Sequence, residues 1–418
     1  MGAARGCDGT AGAAGRYPRR VTAPQRAPGG FPVVGIIGGG QLARMCAAPA
    51  AELAITLSVL AESSGAAAAQ VIPSSPVGDH TDVDAVLAFA QACDVVTFDH
   101  EHVPADVLAS LVEAQVPLHP SPEALHFAQD KLAKRERLTE IGVACPRWAR
   151  ARSRADVEEF GRSVGWPLVA KTPRGGYDGK GVRVVSHAAE LDDWLAEVGR
   201  TGPLEGGLLL EQRVDFVREL AVLIARSPSN QAAAWPVVET VQTDGICTEV
   251  LAPAPGLDPD LAAVATEAGL RIAEKLGVTG VFAVEMFEVR HPATGHPAYV
   301  VNELAMRPHN SGHWSMDGAV TGQFEQHLRA VLDLPLGSPT PREPYTVMAN
   351  VLGGDFPELY PAYRHLMARD PGLKIHVYGK DVRPGRKIGH VNVSGTDLDQ
   401  LRERAQHAAD YLGGVITE

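Results

Sequence analysis

Residues 166–185 read WPLVAKTPRGGYDGKGVRVV. A short apolar run ends in Lys171. Then Gly175, Gly176, Gly179 and Gly181 fall within seven residues, with Lys180 among them, before a second apolar run starts at Val182. Two strands joined by such a loop can fold over a polyphosphate, since bare backbone N–H groups and a lysine supply positive potential. It is not a Walker A loop, because GxxxxGK[ST] opening a helix is absent. A plain glycine hairpin is the alternative, and Lys171 upstream of GYDGKG weighs against it. A lysine on one strand before a glycine-rich loop calls for another nucleotide-binding architecture.

Downstream, VFAVEMFEV (Val281–Val289) and AYVVNELAM (Ala298–Met306) both alternate like strands, with the turn-rich RHPATGHP between them. They form an expected hairpin. Glu285 and Glu303 sit amid apolar neighbours, where an unpaired carboxylate is costly. Magnesium holding nucleotide phosphates would neutralise both, because it takes one or two carboxylates plus phosphate oxygens. Ion pairing to lysine or arginine is the other reading. Asn302 adds an oxygen next door. RPHNSGHW (Arg307–Trp314) then gathers a cation, two imidazoles, an amide and a hydroxyl, as a pocket for an anionic substrate would. Upstream, LLLEQRV (Leu208–Val214) is a strand entering a polar turn, whose backbone suits an adenine edge. Glu219 opens ELAVLIAR and suits ribose hydroxyls, although spacing establishes neither role.

The first folded unit starts with a strand, Phe31–Ile37, then Gly38, Gly39, Gly40 and a helix. This is a Rossmann-like opening, but the spacing is GxxGxG (Gly35, Gly38, Gly40) and not the dinucleotide GxGxxG. That counts against a dehydrogenase. Leu57–Ala61 is a second strand, with Glu62 where a ribose-binding acid would stand. Cys93–Phe98 is a third, ending in Asp99, His100, Glu101 and His102, and Glu101 is a candidate ligand contact. The last segment holds strands VMANVLG, LKIHVYG and KIGHVNV and a helix over Asp397–Leu412. Its loop Gly379–His390 groups Lys380, Arg383, Arg386 and Lys387. Such a loop suits a phosphate monoester or a carboxylated intermediate, with a solvated turn as the alternative.

A net charge of −12 and a pI near 5.7 argue against a general binder of nucleic acid or membrane surfaces. No run of ~18 apolar residues suggests a membrane span. The five cysteines form no CxxC pair, which reads as a reduced, cytoplasmic protein. Residues 1–30 carry five Arg against one Asp and no apolar segment, and read as a disordered extension.

Together, GIIGGGQLARM, VVTFDHEHVP, QDKLAKRERLTEIGV, GGYDGKGV, VNELAMRPHNSGH, QFEQHLRAVLDLPLG and RPGRKIGHVNV resemble the N5-carboxyaminoimidazole ribonucleotide synthetase family of ATP-grasp enzymes, in the family's order from about residue 33 to 391. The resemblance implies an α/β (α+β) ATP-grasp fold. Its parts are a disordered extension (1–31), a Rossmann-like pre-ATP-grasp domain (32–128), a glycine-rich lid (129–213), a central domain with the magnesium site (214–340) and a small C-terminal domain (341–418). It implies ATP- and bicarbonate-dependent carboxylation of aminoimidazole ribonucleotide through carboxyphosphate, in purine biosynthesis, by a homodimer.

Residue by residue, it assigns ATP to Lys131, Lys171, the loop Gly176, Tyr177, Asp178, Gly179, Lys180, Gly181 and Val182, to Glu211, Gln212, Arg213 and Val214, and to Glu219, Gln242, Asn302 and Glu303. Glu285 and Glu303 would hold magnesium. Gln41, Glu101, Asn310, Ser311, Arg386 and Lys387 would bind the ribonucleotide. Arg307, His309, Lys387 and Tyr177 would be catalytic. Met306, Gly322 and Thr240 depart from the family's more usual proline, serine and asparagine. Another ATP-grasp ligase, such as formate-dependent glycinamide ribonucleotide transformylase, is the alternative function; a non-catalytic nucleotide-binding regulator is the alternative class.

Overall fold

Val33–Ile37 (β1) is buried along its whole length because parallel strands flank it on both sides, Thr56–Leu60 (β2) and Val95–Phe98 (β3). The computed structural model describes residues 24–175, 181–291 and 293–416. The tail before residue 24 and the loop residues Gly176, Tyr177, Asp178, Gly179 and Lys180 lie outside them. β1 starts at Val33, two residues later than the apolar run, because Pro32 has no N–H for a ladder and Phe31 is largely exposed. Gly38 adopts a φ of +103°, which favours glycine. Gly40 then caps the helix Gln41–Met45, and a Cβ there would lie 2.0 Å from Asp99 Oδ2.

A second, antiparallel sheet follows, built from Trp148–Ala151 (β4), Leu168–Lys171 (β5), Val182–Val185 (β6) and Leu208–Gln212 (β7) in the order β4-β7-β5-β6. Its apolar face, with Leu168, Ala170, Leu208 and Leu210, packs on Val157 and Phe160 of the helix Arg154–Val164. The glycine-rich segment therefore joins two paired strands, β5 and β6, and Lys171 is the last residue of the first.

The remaining strands are Arg218–Arg226 (β8), Ala232–Ala234 (β9), Val238–Thr243 (β10), Ile246–Ala252 (β11), Gly280–Arg290 (β12), Pro297–Ala305 (β13), Tyr345–Leu352 (β14), Lys374–Val377 (β15) and Lys387–Gly395 (β16). Among the described residues they form one sheet, ordered β13-β12-β8-β10-β11-β14-β16-β15, with β9 on β8. Alternation along β8 and β12 sends Val222, Ile224, Phe282 and Val284 to one face. There they meet Ala265, Ala268 and Ile272 of the helix Pro259–Lys275. Ala221, Leu223, Val281 and Ala283 go to the other face, against Trp235 and Trp314. β14 to β16, from the last segment, continue this sheet through β11. That continuity carries Lys387, the first residue of β16, to the loop that follows β13. Among the described residues no helix is long and apolar enough to cross a membrane.

Candidate active site

The hairpin β12–β13 places Glu285 directly opposite Glu303, beside a bulge at Glu285/Met286. Residues opposed across a ladder share a face, so the two carboxylates project to the same side. Each already meets a cationic or imidazole side chain. Lys134 Nζ lies 3.5 Å from Glu303 Oε1, and His309 Nε2 lies 3.1 Å from Glu285 Oε1. Desolvation in the cleft raises the Glu303 carboxyl, but Lys134, Lys171, Lys131 and Arg135 together hold it below the usual range. The ion-pairing reading is met by these contacts, and the two acids are also hard oxygen donors with the Asn302 amide alongside. Among the described residues no group of three or more His, Cys, Asp or Glu could hold a metal by itself. The donor set fits magnesium that takes its other ligands from phosphate and water.

Lys171 Nζ reaches Glu211 Oε2 at 2.7 Å and Asn302 Oδ1 at 3.3 Å. Lys131 Nζ donates to Gly175 O at 2.8 Å, at the base of the glycine-rich loop. Gly181 and Val182 begin its far side. Glu211 is buried between Arg135 and Lys171. Although burial pushes its carboxyl up, these cations bring it down to about 2. The Gln212 N–H is taken by Arg147 O at 2.8 Å, while Arg213 and Val214 leave the strand. Glu219 and Gln242 touch: burial and nearby Glu285 raise Glu219 to about 7, against the hydrogen bond from Gln242. Phe287 stands opposite Glu219 across β8–β12, and Phe216 stacks on it at 4.6 Å.

On the other side of Glu285 stands His309, from the loop that follows β13. His309 Nδ1 accepts the Ser311 N–H at 3.3 Å and meets Ser311 Oγ at 2.9 Å, so its Nε2–H is aimed at Glu285. Asn310 exchanges two amide hydrogen bonds with Asn350 of β14, at 2.9 and 2.8 Å. Glu101 is buried; its Oε1 accepts the Met306 N–H at 2.5 Å and its Oε2 lies 3.8 Å from Arg307 Nε. A proline at 306 would offer no N–H there. Gln41 Oε1 accepts from Lys380 Nζ at 2.5 Å, joining the first domain to the basic loop. Arg386 contacts Asp381 within that loop, and Lys387 is near enough to Cys247 to act on its thiol electrostatically. Glu62, by contrast, closes the glycine turn by accepting the Gly39 N–H at 3.0 Å.

Asp99, Lys134, Arg135 and Asn350 were not singled out from sequence. Asp99 Oδ1 accepts the Ala43 N–H at 2.7 Å, and burial lifts the acid to about 6. Arg135 stands between Leu132 and Leu138 at three-residue spacing, all on the buried face of the helix Lys131–Glu140. A cation on an apolar stripe signals a buried counter-ion, though not which one.

Residues 32–129 match the ribonucleotide synthetase preATP-grasp domain, 136–324 the ATP-grasp domain and 346–404 the phosphoribosylaminoimidazole carboxylase C-terminal domain. The N5-carboxyaminoimidazole ribonucleotide synthase of Mycobacterium tuberculosis is 51% identical over 384 residues, covering 91% of this chain and 88% of that protein. That of Corynebacterium ammoniagenes is 46% identical over 391 residues, covering 93% and 94%. The structure of N5-carboxyaminoimidazole synthase from Aspergillus clavatus, in complex with ADP and 5-aminoimidazole ribonucleotide, superposes with a TM-score of 0.79 at 30% identity, covering 91% of this chain and 98% of that one.

Proposed function

This chain belongs to the N5-carboxyaminoimidazole ribonucleotide synthase family of ATP-grasp enzymes, and from that premise we propose which of its groups carry the reaction. The reaction is ATP-dependent carboxylation of aminoimidazole ribonucleotide to N5-carboxyaminoimidazole ribonucleotide, in purine biosynthesis. ATP lies along the cleft between the lid sheet and β12–β13. Its adenine runs beside Glu211–Val214, its ribose meets Glu219 with Gln242, and its phosphates meet Lys131, Lys171 and the glycine-rich loop. Glu285 and Glu303, with Asn302, would hold magnesium, which when bound would neutralise phosphate charge during phosphoryl transfer.

A bicarbonate oxygen attacks the γ-phosphorus, the bond to the β-phosphate oxygen breaks, and carboxyphosphate and ADP result. Arg307, His309 and Lys387 surround this small dianion and favour it electrostatically. Carboxyphosphate then gives up its carboxyl carbon to the exocyclic amine of the ribonucleotide. Phosphate leaves, and the amine's proton is lost. Gln41, Glu101, Asn310, Ser311 and Arg386 seat that nucleotide. Carboxyphosphate hydrolyses, so water must be kept from it; that role is assigned to the segment with Tyr177, which lies outside the described residues. Assembly as a homodimer belongs to the same proposal.

The register of Glu285 against Glu303, at the meeting of the lysine and histidine groups, carries this reading. Its test is Glu303→Gln, which keeps the size and removes the charge. With ATP, bicarbonate and aminoimidazole ribonucleotide, ADP release is expected to fall by at least ~100-fold, while the circular dichroism spectrum is unchanged. Full turnover by the folded variant would remove Glu303 from the site.

A further inference from the structure

Arg135 is one of the least exposed side chains among the described residues, at 1%, yet it carries a full charge and is assigned to neither proposed substrate. Its Nε donates to Glu211 Oε1 at 2.5 Å, its Nη1 to Val301 O at 3.0 Å and its Nη2 to Asn302 O at 2.6 Å. The other Glu211 oxygen holds Lys171 Nζ at 2.7 Å, and Lys171 reaches the Asn302 side chain at 3.3 Å. These contacts close a ring: Arg135, Glu211, Lys171, Asn302 and back to Arg135. The ring ties four separate elements together. They are the helix that begins with Lys131, strands β5 and β7 of the lid sheet, and strand β13, which carries Glu303.

We propose that Arg135 is the positioning residue of the nucleotide site, acting through Glu211 to hold Lys171 at a set place beside Asn302 and Glu303. The inference rests on the proposed phosphate role of Lys171. The ring holds two cations and one anion, so it keeps one positive charge for a ligand. With Arg135 in place, Glu211 is shared, and Lys171 can turn toward a phosphate without leaving a carboxylate buried alone. Without it, Lys171 is the only counter-ion that Glu211 retains within the ring, and an ion pair in a water-poor site is hard to part. Lys171 would then be withdrawn from the phosphates. The planar guanidinium matters because one group must bond a carboxylate and two carbonyls on different strands, which a lysine ammonium does with poorer geometry.

The experiment measures KM for ATP, KM for aminoimidazole ribonucleotide, kcat, affinity for magnesium-ADP by calorimetry and thermal midpoint. It compares the wild type with R135M, R135K, the double variant R135M/E211M and K171M. R135M is expected to raise KM for ATP and weaken ADP binding about tenfold or more, with KM for the ribonucleotide within about twofold, and R135K to recover part of the loss. The double variant removes the carboxylate that would capture Lys171 but also the group through which Lys171 is placed, so its midpoint is expected to return toward wild type while KM for ATP stays high. In R135M, a raised KM for ATP beside an unmoved KM for the ribonucleotide, with part of the loss recovered by R135K, distinguishes positioning from structural support. Recovery of both in the double variant, or unchanged ATP and ADP values in folded R135M, would overturn the inference. K171M decides the reading beneath it. If K171M binds ADP as the wild type does, the phosphate role of Lys171 is wrong; if K171M fails to bind and R135M binds normally, only the role of Arg135 is wrong.

Discussion

Glu211→Gln takes one negative charge from a side chain that is 4% exposed and bonded to two cations, Arg135 at 2.5 Å and Lys171 at 2.7 Å. The shape stays nearly the same, so the change is electrostatic. In the folded protein the carboxyl is held at about 2, against an ordinary 4.5. That gap corresponds to ~3 kcal/mol of stability at neutral pH. Breaking a buried pair by removing one partner costs about 3–5 kcal/mol. The lower end applies here, because Arg135 keeps two carbonyl acceptors and Lys171 keeps Asn302. The folded value is depressed, so the contribution is fully present above 4.5 and is lost as pH falls toward 2. The assay is urea unfolding of wild type and variant at a series of pH values. A gap of about 3 kcal/mol is expected from pH 7 down to about 5, narrowing below 4.5. A gap under about 1 kcal/mol at pH 7 would refute the reasoning, since it would mean the two cations are satisfied without Glu211. So would a gap that does not narrow on acidification.

Gly40→Ala is expected to cost about 1–3 kcal/mol, because the new Cβ would lie 2.0 Å from Asp99 Oδ2. The displaced helix start is also expected to raise KM for the ribonucleotide through Gln41; a normal melt and a normal KM together would show that Asp99 yields freely. Asp99 itself is raised by burial to about 6 from 3.8, so keeping it ionised in the fold lowers stability as pH rises from 3.8 through 6. Asp99→Asn is therefore expected to gain up to about 3 kcal/mol relative to wild type at pH 8 and less at pH 5, and a variant that is relatively more stable at pH 5 would reverse the sign.

The elements that carry the candidate site were largely legible because their signals are local. The strands ending at Lys171 and starting at Val182, the hairpin around Glu285 and Glu303, and the polar loop from Arg307 to Ser311 are each set by a few neighbouring residues, and each falls where it was expected. The pairing of the two acidic strands followed from hairpin logic, and the register adds that Glu285 stands directly opposite Glu303. The roles of Glu62 and Arg135 were not legible. The same glutamate after a second strand can meet a ribose or close a turn, and only the approach of the Gly39 N–H decides. Nothing near Arg135 in the chain names its three oxygen acceptors, which lie 76, 166 and 167 residues away.

Alternation, glycine placement and charge balance are properties of neighbouring residues. They set the strands, the loop between β5 and β6, and the chemistry that each end of the cleft can offer. Folding alone decided who neutralises whom: Lys134 on Glu303, Arg135 and Lys171 on Glu211, Met306 and Arg307 on Glu101. The reason is that Coulomb forces and hydrogen bonds act over a few ångströms of space. Distance along the chain does not enter them, so charges far apart in the sequence become partners only when the sheets are stacked.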